Sequence, residues 1–216
     1  MDAVRPGRRI AELASDQPQL AALWAGVLLL VAGAAVVTGD RRVWAYVTVC
    51  LVLTAVVASG HAAARFSPGL LRCLLVLGCL HLAGGLLPSA GGVLYDYWLV
   101  DGVLRYDQAV HAFGSVCATW ASWQLAGAYL DLHRTPPRAQ ALIACLGGMG
   151  KGAINEVVEF VMGGAHVGGY QNTGWDLVFD LAGCVAMAVY LVQSRASRTG
   201  SGLAGGGRLR ETADLA

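Results

Sequence analysis

Long apolar runs separated by short polar segments make up most of the chain. A helix that crosses about 30 Å of hydrocarbon needs roughly 20 mostly apolar residues, and runs of this length favour helices over buried strands. Six runs therefore predict six transmembrane helices. They are Leu20–Thr38, Val43–Ala58, Leu70–Leu87, Gln108–Leu130, Ala139–Met162 and Asp176–Val192.

The composition excludes most classes of soluble protein. The 216 residues are 56% hydrophobic and 13% charged, and that charged share is about half of what soluble chains carry. Lys and Arg number 15 against 14 Asp and Glu, which leaves a net charge of +1. The chain therefore lacks the basic excess that is typical of nucleic-acid binding. We predict an all-α, multi-pass protein that lies in a lipid bilayer and has no nucleic-acid partner.

The two ends of the chain differ from its middle. We predict an N-terminal segment over residues 1–19, a six-helix transmembrane domain over 20–193 and a disordered tail over 194–216, where glycine alternates with arginine. Arginines before the first apolar run are also a feature of signal peptides. This run is longer than the usual apolar region of about 7–15 residues, so an uncleaved first span is the better interpretation.

Basic residues are distributed unevenly between the predicted loops. Cytoplasmic loops of membrane proteins carry an excess of Lys and Arg. With six spans and a cytoplasmic N-terminus, eleven arginines fall inside and three outside. We therefore predict a cell-membrane protein with both termini in the cytoplasm. The inner residues are Arg5, Arg8, Arg9, Arg65, Arg72, Arg134, Arg138, Arg195, Arg198, Arg208 and Arg210, and the outer ones are Arg41, Arg42 and Arg105.

Ionisable side chains of the last four spans fall at one depth. Such groups are costly inside a bilayer and tend to mark functional sites. At about 1.5 Å per helical residue, they all fall within roughly 10 Å of the outer boundary. Except for His81, they occur in pairs whose spacing places both members on one helix face. The seven residues are His81, Asp107, His111, Glu156, Glu159, Asp176 and Asp180.

Glycines lie on the same helix faces as these ionisable groups. Small residues allow membrane helices to approach one another closely, so we expect the charged faces to pack against neighbouring helices and to point into a bundle of spans three to six. The glycines are Gly78, Gly84, Gly114, Gly152 and Gly183.

The first functional hypothesis is a metal-dependent membrane hydrolase that acts at the outer leaflet on a lipid or lipid-linked substrate. Carboxylates gathered at low dielectric repel one another and need a cation, bound protons or basic partners. Carboxylate oxygens and imidazole nitrogens suit Zn, Mn, Mg or Fe. The predicted ligands are His111, Glu156, Glu159, Asp176 and Asp180, and the predicted acid–base residues are His81 and Asp107.

Two other functions stay open. The cluster can be a hydrogen-bonded staple or a docking surface for another membrane protein, or its carboxylates can bind the coupling ion of a proton- or cation-coupled transporter. The chain has no internal repeat of the kind that carriers show. Single residues also have structural explanations, because Asp107 and Asp176 stand at helix starts, where carboxylates form caps. His81 taken alone is typical of a hydrogen-bonded core histidine.

The same residues resemble the motifs of a known family. His81-Leu-Ala-Gly-Gly, then Arg105-Tyr-Asp-Gln-Ala-Val-His-Ala-Phe-Gly, a paired-glutamate motif beginning at Glu156 and a tryptophan–aspartate motif around Trp175 look like the YjdF-like family of bacterial inner-membrane proteins. The resemblance covers about residues 70–191 in the right order. A looser similarity exists to VanZ-like membrane proteins. Because the YjdF-like family has no assigned function, the resemblance implies architecture and candidate site residues, not a reaction.

Two positions depart from the pattern of that family. Thr173 stands where the family usually has an acidic residue, and Asn155 stands where it has an aromatic residue. A site that needs the extra carboxylate is expected to be impaired by Thr173.

Overall fold

The computed structural model describes residues 6–90, 92–130, 135–163 and 169–211, with side chains over 9–90, 92–130, 135–161 and 169–195. Helices dominate, with 86% of these described residues helical. The described part has seven α-helices. They are α1 (Pro6–Asp16), α2 (Pro18–Thr38), α3 (Arg41–Ala64), α4 (Pro68–Leu86), α5 (Tyr106–Tyr129), α6 (Pro137–Gly163) and α7 (Gly169–Glu211).

Tight turns join the first helices into antiparallel neighbours. Gly39 ends α2 in the left-handed conformation with a φ of 65°, which glycine adopts without steric cost. Asp40 then begins α3, because its side chain accepts a hydrogen bond from the Arg42 backbone N–H. At the other end of α3, Ser67 accepts from the Leu70 backbone N–H and begins α4.

Two short β-hairpins join α4 to α5 at one end of the bundle. Strand β1 (Pro88–Ser89) pairs antiparallel with β2 (Gly92–Val93), and a 3₁₀ turn over Leu94–Asp96 follows. Strand β3 (Trp98–Val100) then pairs antiparallel with β4 (Leu104–Arg105). In the described residues these hairpins are the one departure from the all-α prediction, and they place the loop over the ends of α4 and α5.

Five helices are long and apolar enough to cross a membrane, whereas the sequence predicts six. They are α2, α3, α4, α6 up to Val161 and α7 up to Arg195. Helix α5 has 24 residues, but it carries polar side chains that lower its hydropathy. Those side chains are buried against neighbouring helices: Gln108, His111, Ser115 and Thr119. The cytoplasmic placement of both termini stays a prediction. The predicted disorder of residues 194–216 also stays a prediction, although α7 continues as a helix to Glu211.

Helix α1 docks on the bundle at the end opposite the hairpins. Leu13 packs against the buried side chains of Phe66 and Leu70 where α3 turns into α4. Asp16 accepts hydrogen bonds from His61 and Arg65 at the end of α3. An apolar contact and an ion pair therefore hold α1 across the ends of α3 and α4.

Helices α5, α6 and α7 pack closely because glycines leave room for the neighbouring helix. A β-carbon on Gly183 of α7 would collide with the backbone carbonyl oxygen of Ala112 on α5. A β-carbon on Gly152 of α6 would collide with the Asp180 carboxylate of α7. These contacts fix the distance between the three helices that carry most of the predicted site.

Candidate functional site

Six of the seven predicted ionisable residues lie together, where α5 and α7 begin and α6 ends. We call this group the acidic cluster. Asp176 and Asp180 have no exposed surface, and His111 and Glu156 are 5% and 7% exposed. The members of the acidic cluster are Asp107, His111, Glu156, Glu159, Asp176 and Asp180.

His111 is at the centre of the acidic cluster, with carboxylates on both sides of its ring. Its Nε2 lies 3.7 Å from Oδ1 of Asp107 and 3.8 Å from Oε1 of Glu156. Its Nδ1 lies 3.4 Å from Oδ1 of Asp180. Nε2 therefore faces two carboxylates, and Nδ1 faces a third.

Donor atoms of the acidic cluster converge closely enough to surround an ion. One set consists of Asp107, His111 and Asp176, and the other of His111, Glu156 and Glu159, with the atoms of each set within 4.8 Å of one another. Ligand atoms held at about 2.0–2.4 Å from one ion lie about 3–4 Å apart. The two distances measured at Nε2 fall in that range.

Three of the carboxylates are fixed by a neutral side chain from outside the acidic cluster. Asn172 donates to Oδ2 of Asp176 at 2.5 Å, and Ser115 donates to Oδ1 of Asp180 at 2.6 Å.

Asn155 supplies the third such bond, to Oε1 of Glu159 at 2.6 Å. Sequence reasoning missed Ser115 and Asn172 and treated Asn155 as a departure. A spacing signal existed for the two amides, since each stands four residues before its carboxylate and so shares its helix face.

Several carboxylate oxygens of the acidic cluster are buried without a hydrogen-bond partner among the described residues. They are both oxygens of Glu156, Oδ1 of Asp176 and Oδ2 of Asp180. Buried polar atoms nearly always have a hydrogen-bond partner, because without one the free energy of desolvation is not compensated. Unpaired carboxylate oxygens gathered in one place therefore need a cation or bound protons.

The nearest basic side chain inside the bundle does not supply that partner. Lys151 of α6 lies over Gly114 of α5, where a β-carbon would be 3.2 Å from its Nζ. It forms no ion pair with a carboxylate of the described residues. Its charge acts on the cluster only at longer range.

His81 lies outside the acidic cluster. Its Nδ1 is 2.5 Å from the Tyr95 hydroxyl, and its ring is 5.1 Å from that of Tyr46. Gly84 and Gly85 make room for these two tyrosines, because a β-carbon at either position would collide with the ring beside it. His81 thus belongs to an aromatic network beside α4, and its predicted acid–base role stays a prediction.

Comparison with known proteins gives one match. Residues 20–197 match the model of a family described as a predicted membrane protein, DUF2238. The chain belongs to the DUF2238 family. This membership is consistent with the resemblance to YjdF-like proteins, and it supports an uncharacterised membrane protein without confirming the YjdF-like name.

No curated protein and no solved structure matches the chain. The site of this DUF2238 protein is therefore argued from its own geometry. Of the two departures noted in the sequence, Asn155 is a hydrogen-bond donor to Glu159, and Thr173 lies beside Glu156.

Proposed function

We propose that this DUF2238 protein binds a divalent metal ion in the acidic cluster and uses it to hydrolyse a lipid or lipid-linked substrate at the outer face of the cell membrane. The observation that carries the proposal is the set of buried, unpaired carboxylate oxygens around Nε2 of His111. A cation at this point would pair with oxygens of Glu156 and Asp176 and would reduce the repulsion between the carboxylates.

The ligand set that we propose has one nitrogen and several oxygens. Nε2 of His111 binds the ion, together with oxygens of Asp107, Glu156 and Asp176, and Glu159 completes the set. Mixed imidazole and carboxylate ligands suit Zn, Mn or Fe, and Mg to a lesser extent. Two sets of three donors already converge, Asp107 with His111 and Asp176, and His111 with Glu156 and Glu159. Because His111 belongs to both sets, one ion beside it could draw ligands from each.

Asp180 has a different role in this proposal from the ligand role that the sequence suggests. It lies at Nδ1 of His111 and accepts a hydrogen bond from Ser115. A metal-bound histidine commonly donates its other ring N–H to a carboxylate, which fixes the ring and strengthens the ligand. Asp180 therefore orients His111 so that Nε2 points at the ion.

The reaction that we propose is hydrolysis of an ester. A divalent ion held by these residues would supply a water whose pKa is lowered from about 15.7 to about 7. The side chain of Asp107 is 21% exposed and lies beside Nε2 of His111, so an oxygen of Asp107 could accept a proton from this water and pass it to the leaving oxygen. The oxygen of the water would then replace the leaving oxygen at the ester centre.

A membrane substrate follows from where the acidic cluster lies. Helices α6 and α7 are both long and apolar enough to cross a membrane. The acidic cluster lies near the C-terminal end of α6 and near the beginning of α7. We propose α5 as the sixth span, because its 24 residues reach about 36 Å and its polar face is covered by α6 and α7. Six spans and the bias in arginines put both termini in the cytoplasm and the cluster outside.

Metal analysis of the purified protein tests the proposal. The detergent-purified chain is stripped with a chelator, incubated with Mn²⁺, Zn²⁺ or Fe²⁺ in turn, desalted and measured for bound metal. We expect one equivalent of at least one ion in the wild type, and a loss of about tenfold or more in affinity for Glu156→Gln. Asp101→Asn is the matched control, since Asp101 is an exposed carboxylate of the hairpin at the same end. Equal metal content in the wild type and Glu156→Gln would overturn the site.

A hydrogen-bonded staple is the competing function, and one observation favours it. Ser115 and His111 of α5 both contact Asp180 of α7, which ties the two helices together. A staple leaves the oxygens of Glu156 and Asp176 unexplained, however. If Glu156→Gln and Asp180→Asn lower the melting temperature of the metal-free protein and the wild type binds no metal, the staple is the better account.

A further inference from the structure

We propose that Arg105 binds the phosphate group of a lipid at the entrance to the acidic cluster, which makes a phosphate-bearing lipid the substrate class. The inference rests on the proposed function only in that it calls the bound lipid a substrate. The binding of a phosphate group at Arg105 does not depend on the proposed hydrolysis. Its evidence comes from the guanidinium of Arg105, from the chain of contacts that links it to the cluster, and from the hairpin around it.

The guanidinium of Arg105 is held in place but has no anionic partner in the part of the chain that the structure describes. Its Cζ lies 4.6 Å from the centre of the Trp98 ring, and Nη1 lies 3.5 Å from Oδ1 of Asn172. Its Nε is buried and has no hydrogen-bond partner among the described residues. An arginine that presents a free edge in a fixed orientation is suited to two parallel hydrogen bonds with a phosphate.

A short chain of contacts connects Arg105 to the proposed metal site. Asn172 contacts the guanidinium through its carbonyl oxygen and donates its amide N–H to Asp176 of the acidic cluster. One side chain therefore separates the arginine from a proposed metal ligand. A phosphate bound at Arg105 would hold the rest of its molecule next to the ion.

The surface around Arg105 is exposed and mostly apolar, with Asp101 as a charged residue in the turn of the hairpin. In the hairpin of β3 and β4, Leu99 is 47% exposed, Val100 is 52% exposed and Val103 is 68% exposed. Trp98 and Tyr97 belong to the same surface, and these two residue types concentrate at membrane interfaces. A hairpin of this kind at the end of the membrane helices lies at the level of lipid headgroups, so the anion within reach of Arg105 is a lipid phosphate.

Lipid binding to the purified protein tests this inference. The probe is short-chain phosphatidic acid, and diacylglycerol with the same chains and inorganic phosphate are the two comparison ligands. We expect phosphatidic acid to bind the wild type, and Arg105→Gln to weaken that binding by about tenfold to a hundredfold, as expected for lost charge-assisted hydrogen bonds. Arg41→Gln, an exposed arginine at the same end, should bind like the wild type.

Each alternative result has a definite meaning. Equal binding by the wild type and Arg105→Gln overturns the inference, as does equal binding of diacylglycerol, which would mean that the hairpin recognises acyl chains alone. If inorganic phosphate binds as tightly as the lipid, the ligand of Arg105 is a free anion and the proposal of a lipid is wrong. All measurements are made with and without metal: loss of lipid binding in Arg105→Gln while the wild type holds no metal would support this inference and overturn the proposed function.

A folding check accompanies the variant. Arg105 also stacks on Trp98, so the melting temperature of lipid-free Arg105→Gln is compared with that of the wild type. Arg105→Lys keeps the charge but loses the paired hydrogen bonds, and we expect it to bind phosphatidic acid with an affinity between those of the wild type and Arg105→Gln. Full wild-type affinity in Arg105→Lys would contradict the paired geometry.

Discussion

The two ends of the helical bundle each contain a buried histidine, and the two histidines have opposite surroundings. His61, which is 3% exposed, meets one carboxylate, and that carboxylate is also paired with an arginine. His111, which is 5% exposed, meets three carboxylates and no arginine or lysine in ion-pair range among the described residues. Burial is the same, but the balance of charge is not.

This difference separates a structural ion pair from the proposed binding site. At the His61 end, the charges of Asp16 and Arg65 balance each other, and the contact of His61 with Asp16 also ties α1 to α3. At the His111 end the carboxylates exceed the basic groups, and several of their oxygens are unpaired. Buried charge of one sign is costly without a counter-charge, so the second end needs a cation or bound protons, whereas the first does not.

The largest effect is expected where the packing that forms the acidic cluster is broken. In Gly183→Ala the new methyl group meets the backbone carbonyl of Ala112, which cannot rotate away, so α7 must move from α5. Overpacking of this kind costs about 1–3 kcal/mol, and a clear fall in melting temperature in detergent is expected.

The control for this variant is on the same helix. A β-carbon at Gly174 has no atom within 4 Å, so Gly174→Ala is expected to melt at or above the wild-type temperature. If Gly183→Ala melts like Gly174→Ala, the close contact of α5 and α7 does not determine the stability of this end.

The second-largest effect is expected at Asp180, which lies on the Nδ1 side of His111. Asp180→Asn keeps the size of the side chain but removes the charge that faces Nδ1 of His111, and outer partners of this kind change metal affinity by about 10–100-fold. Titration of the metal-free protein with the ion identified in the binding experiment measures the change. Asp101→Asn serves as control, and unchanged affinity in Asp180→Asn would remove the orienting role.

A smaller effect is expected at the aromatic network beside the cluster. Tyr95→Phe removes the hydroxyl that contacts Nδ1 of His81, and one lost hydrogen bond costs about 0.5–1.5 kcal/mol. Bound metal should not change, because His81 lies outside the acidic cluster. Tyr97→Phe, at a residue that is 49% exposed, should match the wild type in both measurements. If Tyr95→Phe binds less metal than the wild type, His81 contributes to the metal site and the assignment made here is wrong.

The sequence alone was enough to predict that acidic residues of α5, α6 and α7 lie at one depth. Helices that alternate in direction bring the start of one to the end of the next, so counting residues from the predicted span ends placed Asp107, Glu156 and Asp176 together. The glycine faces also identified the correct packing surfaces, since Gly152 and Gly183 are in tight contact with the neighbouring helices.

Other features could not be predicted because they depend on rotation and on pairing between helices. Which side of the His111 ring faces Asp180 is set by the mutual rotation of α5 and α7, which hydropathy does not report. His81 has the right depth but points to Tyr95, a residue of a loop whose path no periodic pattern encodes. Helix α5 was counted with the apolar spans by length, while its polar face lowers its hydropathy.

The smallest effect is expected at the balanced end of the bundle. Hydrogen bonds from His61 and Arg65 lower the pKa of Asp16 below its ordinary value of 3.8. A carboxylate whose pKa is lowered by folding stabilises the fold when the pH is above its pKa in the unfolded chain. This stabilisation is lost as the pH falls through the lower pKa of the folded protein. Asp16→Asn should therefore melt slightly below the wild type at pH 7, and the two should converge at acid pH.

Melting curves between neutral and acid pH measure this convergence, with Asp101→Asn as the exposed control. The difference is expected to be small because exposed ion pairs contribute little to stability, and because Leu13 also holds α1 through its contact with Phe66 and Leu70. If Asp16→Asn matches the wild type at every pH, that apolar contact alone holds α1. A difference that grows at acid pH would have the wrong sign for a carboxylate with a lowered pKa, and the charge balance that distinguishes the two ends would then need another explanation.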